Sequence, residues 1–148
     1  YAGGAHWLML PLAWLLGEPT ANVVRQTLFG AERVVSSALT SVECARALAR
    51  ARPSGRLAAR DELAALRLLD VAEANWDVYQ MTDRVLARAR ARFPVEPVRA
   101  LDALHLATAA LAREALGPVS VLSFDDRVRE NAAGVGLDLV PLGLGGEK

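Results

Sequence analysis

Three carboxylates stand where chemistry could gather. Glu43 lies just inside an expected helix that follows a short apolar stretch. Asp102 opens a long apolar helix, and Asp125 comes just after the expected strand 119–122. In parallel α/β sheets, ligands bind beyond the carboxyl ends of the strands. Glu43 and Asp125 belong to that edge, and Asp102 joins them if its helix starts there. Carboxylates held together repel one another, and burial penalises their charged forms. A hard divalent cation relieves both costs because it takes oxygen ligands. Two such ions about 3.5–4 Å apart activate water and steady the leaving oxygen of a phosphodiester. The pattern therefore suits metal-assisted nuclease chemistry. It equally suits acids that complement helix dipoles, and spacing alone does not separate the two.

The elements that must position these acids follow from periodicity. Residues 8–16 read as a buried helix or a strand followed by a helix, closed by Gly17 and Pro19. Thr20 caps a short helix to about Gly30. Residues 33–37 read as a buried strand, and a helix runs from about Thr40 to Arg52 before Pro53 and Gly55. Leu57, Leu63, Leu66, Leu69 and Ala72 recur at helical spacing, so a second helix pairs with the first. A strand follows at 76–79, and a helix from Thr82 to about Arg92. After the loop 93–97 come a helix over 100–116, a strand over 119–122, a helix from Asp126 to Ala133 and a last strand over 137–140. Strands that alternate with helices predict an α/β domain with a central, mostly parallel sheet flanked by helices. The domain is expected over 1–141, with a flexible, glycine-rich tail over 142–148.

Composition bounds the function. The chain has 148 residues and 53% hydrophobic residues, which suits one folded domain. Lys+Arg and Asp+Glu both number 17, so bulk charge does not drive nucleic-acid binding. Lys148 is the sole lysine, and Arg engages phosphate by a two-pronged fork. One cysteine, Cys44, excludes an internal disulfide and a cysteine-based zinc site, and fits a reducing, cytoplasmic setting. The apolar run 7–16 falls short of the roughly 20 residues that span a bilayer. No basic residue precedes it, so a buried element is expected there rather than a membrane span or leader.

Neighbours of the acids have both chemical and structural readings. His105 shares a helix face with Asp102; a ligand or base role competes with a half-buried histidine bonded within the fold. Thr40 and Ser123 either orient carboxylates or cap helices. Arg46, three residues after Glu43, is expected to hold that carboxylate. Asp126 is expected to cap its helix. Arg84, Arg88, Arg90, Arg92 and Arg99 are expected to form a solvated face rather than an RNA contact, and Trp7 and Trp14 to sit in a core or interface.

Four segments resemble the PIN-domain family, and the VapC toxins within it: LLGEP at 15–19, SSALTSVECARA at 36–47, LDALHLATA at 101–109 and VLSFDDR at 121–127. The third is the most specific. The resemblance places the family's second, third and fourth acids at Glu43, Asp102 and Asp125. It implies a three-layer sandwich of helices around a parallel sheet. It further implies Mg²⁺ or Mn²⁺ on those acids, cleavage of RNA as an endoribonuclease toxin, a cognate VapB-type antitoxin and a homodimer. One position departs from the pattern. Counted back from Gly17, the family's first acid falls on Trp7; aligned from Tyr1, it falls on Gly3. No Asp or Glu precedes Glu18, which lies in a turn past that position, and His6 is the nearest other donor. A three-acid nuclease and a silent PIN-like module that binds antitoxin or RNA without cleaving both remain open at this level.

Overall fold

A computed structural model of the chain describes residues 5–8 and 21–140. Five parallel strands form one sheet: β1 (Ala5–Leu8), β2 (Arg33–Ser37), β3 (Asp77–Tyr79), β4 (Val119–Leu122) and β5 (Asp138–Val140). Their order is β3-β2-β1-β4-β5. The chain therefore winds outward from β1 through β2 to β3, then crosses back and winds the other way through β4 to β5. β1 is central, with Trp7 in register with Val35 on one side and Val121 on the other. The strand order reverses at β1, and such switch points open a crevice at the carboxyl edge of the sheet.

Among the described residues six helices connect or follow the strands: α1 (Ala21–Gly30), α2 (Leu39–Ala51), α3 (Ala59–Glu73), α4 (Asp83–Arg90), α5 (Ala100–Leu116) and α6 (Asp126–Gly134). Side chains alternate across a strand, and that alternation builds two cores. Val35, Val119 and Val121 pack with Leu106, Ala109 and Ala112 of α5, with Val128 and Ala132 of α6, and with Phe93. On the other face Val24 of α1 packs with Leu122, joined by Val34, Trp76, Phe124 and Val140. Helices on both faces of one parallel sheet make the expected sandwich. Burying a side chain such as Leu106 or Val121 contributes about 1.5–3 kcal/mol each.

Most element limits agree with the sequence reading, and α5 matches it residue for residue. Gly117 ends α5 with φ +90, where residues with a Cβ are strained. α4 stops at Arg90 rather than Arg92, since the backbone turns extended at Ala91. α2 and α3 pack together as expected, but the inward stripe of α3 is Ala65 and Leu69, one turn apart. Leu63 lies off that stripe and is 50% exposed. Residues 9–16 of the segment expected as a helix or a strand followed by a helix, the Thr20 cap, Glu18, Trp14 and the tail 142–148 lie outside the described residues. Among the described residues no helix is long and apolar enough to cross a membrane.

Candidate active site

The site assembles where the carboxyl ends of β2 and β4 flank β1. At the end of β2, Ser37 Oγ accepts a hydrogen bond from the Leu39 amide at 2.9 Å, and the Ala38 amide donates to the Tyr79 carbonyl at 2.8 Å. These contacts set the first turn of α2, with Ala38 as its N-cap. Thr40 is therefore not the cap; its hydroxyl is buried and has no hydrogen-bond partner among the described residues. Glu43, one turn further, projects from α2 toward α5.

There Glu43 meets His105: Oε2 lies 2.5 Å from Nε2. His105 is 1% exposed and Glu43 30% by side chain. Among the described residues no ion pair joins Arg46 to Glu43, contrary to the expectation. The buried imidazole across the helix interface offers the better-desolvated partner, while Arg46 points to solvent. His105 is thus buried rather than half-buried, and bonded to an acid of the site. The signal for this lay in its spacing from Asp102, which places both on one face of α5.

Asp102 occupies the first turn of α5. Its carboxyl is raised above the ordinary value, first by burial and then by the negative charges of Asp125 and Glu43; His105 and Arg99 pull the other way. All three predicted acids therefore share one electrostatic neighbourhood, although they come from distant parts of the chain. Asp125 has a second duty. It is the N-cap of α6, and its Oδ1 accepts from the Val128 amide at 2.9 Å. Asp126, expected in that role, sits within the first turn instead, because Asp125 holds the extended backbone of an N-cap and the helix starts at Asp126. The turn is braced from behind. Ser123 Oγ accepts from the Asp125 amide at 3.1 Å, and the Ser123 carbonyl accepts from the buried Arg129 guanidinium at 2.9 Å. Ser123 thus orients the acid-bearing turn rather than capping a helix. Sequence reasoning missed Arg129, for which a lone arginine in a short helix carried no signal.

The chemistry of this donor set fits a divalent cation, since carboxylate oxygens are hard ligands and their mutual repulsion is what a cation would relieve. Among the described residues no three His, Cys, Asp or Glu side chains are already drawn into a single ligating group. The acids share a field, while Glu43 and Asp125 are each engaged elsewhere. The side chains of His6 and Trp7 lie outside the described residues.

The arginines divide. Arg84 pairs with Glu114 at 3.1 Å and Arg88 stacks over Phe93 at 4.6 Å, while Arg90, Arg92 and Arg99 are exposed, so this is largely a solvated face. Arg99 differs in lying close enough to act on Asp102.

The PIN domain family model matches residues 11–134, which span α1 to α6 and all three acids. The chain belongs to the PIN domain family. Among curated proteins, it is 37% identical over 123 residues to Ribonuclease VapC46 of Mycobacterium tuberculosis (strain ATCC 25618 / H37Rv), covering 83% of this chain and 85% of that protein. It is 32% identical over 111 residues to Ribonuclease VapC35 of Mycobacterium tuberculosis (strain CDC 1551 / Oshkosh), covering 75% and 74%. The sandwich of helices about a parallel sheet is thus the PIN fold, as the motifs implied.

Proposed function

We propose that this chain is a VapC-type endoribonuclease toxin that hydrolyses RNA phosphodiester bonds with Mg²⁺ or Mn²⁺ held by Glu43, Asp102 and Asp125. The observation that carries the reading is the placement of Glu43 in α2 after β2 and of Asp125 at the start of α6 after β4, the two strands that flank β1, with Asp102 in the first turn of α5 beside them. Similarity to two proteins named as ribonucleases supports the substrate class. A bound cation would supply an activated water and neutralise charge on the scissile phosphate. The chain's own residues prepare for it. Burial keeps the Asp102 carboxyl poorly solvated and so primed for a cationic partner. Ser123 and Arg129 hold the turn that presents Asp125. Arg99, exposed beside Asp102, is placed to meet an RNA phosphate. In this reading a cognate VapB-type antitoxin blocks the crevice, the toxin acts in the cytoplasm, and it pairs as a homodimer.

One observation favours a second reading. Trp7, the position reached by counting back from Gly17, stands in the central strand between the registers of Val35 and Val121. If the family's first acid belongs there, the site lacks one charged ligand, and the chain is a silent module that binds antitoxin or RNA without cleaving.

Cleavage of a mixed pool of structured RNAs, with Mn²⁺ and with EDTA, separates these readings when Asp102→Asn is the control. Cleavage that needs both the cation and Asp102 establishes the nuclease. Intact RNA after incubation with folded wild-type protein at saturating Mn²⁺ rules it out in favour of the silent module.

A further inference from the structure

We infer that His105 is a positioning residue, whose imidazole fixes the Glu43 carboxylate through Oε2 and leaves Oε1 to serve a cation. This rests on the reading of Glu43 as a cation ligand. The bond joins α2 to α5 across 62 residues of sequence at 2.5 Å. A carboxylate only accepts, so Nε2 carries the proton and donates. The donor is 1% exposed, with the fully buried Leu106 and Ala109 among its helix neighbours. A polar group in such surroundings costs stability unless it is bonded, and an apolar side chain would fill the space without that cost. The bond of its Nε2 to Glu43 goes to a candidate ligand.

Physical chemistry gives that bond a use. A glutamate side chain has several rotatable bonds, and freezing it costs rotamer freedom. A donor already in place removes that cost from cation binding. Carboxylate ligands are in turn hydrogen-bonded by an outer shell, and loss of such partners typically weakens metal affinity about 10–100-fold.

The alternative is that His105 merely ties α2 to α5. Two variants of the full chain separate the roles: His105→Gln keeps an N–H donor near the Nε2 position, and His105→Leu keeps bulk without a donor. The readouts are Mn²⁺ affinity by titration calorimetry and the thermal midpoint of each variant in EDTA. We expect His105→Leu to weaken Mn²⁺ binding about 10–100-fold and His105→Gln to restore it to within a few-fold of wild type, with both variants folded in EDTA. In the cation-free protein, the His105 Nε2 proton should resonate downfield of ordinary imidazole N–H signals and vanish in Glu43→Gln. Equal losses in the Leu and Gln variants overturn the inference in favour of a structural tie. Wild-type affinity in both, while Asp102→Asn binds no Mn²⁺, overturns the positioning role and leaves the metal site standing. Equal Mn²⁺ binding by wild type and Asp102→Asn overturns both, even if the downfield proton persists.

Discussion

The Asp125 carboxylate accepts a hydrogen bond from the Val128 amide at 2.9 Å, so one side chain serves both the start of α6 and the candidate site. The two duties separate by mutation. Asp125→Asn keeps an acceptor for the cap, whereas Asp125→Ala removes it at a cost of about 1 kcal/mol. In a chain of this size that lowers Tm by roughly 2–4 °C. Both variants should lose RNA cleavage, and only the Ala variant should lose thermal stability. An Ala variant that melts as late as wild type would show the cap to be unimportant.

Asp102 should trade stability for function. Its carboxyl ionises above the ordinary 3.8 in the folded protein, mainly because it is buried and then because Asp125 lies near. The folded state therefore holds this proton more tightly than the unfolded chain does. Ionised Asp102 thus subtracts stability at neutral pH, and the loss disappears as pH falls through the raised value toward 3.8. Asp102→Asn should raise Tm of the cation-free protein at pH 7, with a gap that narrows on acidification. The carboxyl is half exposed, so solvent screening keeps the gain small. A lower Tm for Asp102→Asn in EDTA at pH 7 would contradict this account.

A divalent cation should stabilise the folded chain. At a hundredfold excess over Kd, binding to the native state alone adds about 2.7 kcal/mol, worth about 5–10 °C in Tm here. Melting curves with Mn²⁺ and with EDTA measure it, and Asp102→Asn should abolish most of the shift. A shift that survives this substitution would place the cation elsewhere.

The first-acid position can be tested by restoring the charge. Trp7 lies in β1, paired with Val35 and Val121, whereas Gly3 precedes the strand. Trp7→Asp should tighten Mn²⁺ binding by about tenfold, or 1.4 kcal/mol, and destabilise the cation-free protein by adding a charge to mutually repelling acids. Gly3→Asp should change neither. The reverse pattern would move the acid position to Gly3.

Much was legible in the sequence because it is local. Hydrophobic spacing and stop residues marked α5 and β4 to the residue, and the segment 101–109 carried the PIN resemblance with Asp102 in place. Glu43 and Asp125 were marked as acids following strands, a relation that spans only a few residues. What joins them is not local. The sheet order that makes β1 central, the bond between Glu43 and His105 across 62 residues, and the field of Asp125 on Asp102 arise only when helices pack on the sheet. Packing also decided the smaller questions: Asp125 rather than Asp126 caps α6, His105 rather than Arg46 holds Glu43, and Leu63 faces water. Residue spacing tells which side chains share a helix face. Which distant groups that face meets depends on burial and on the partners left for each polar atom, and those are settled only in three dimensions.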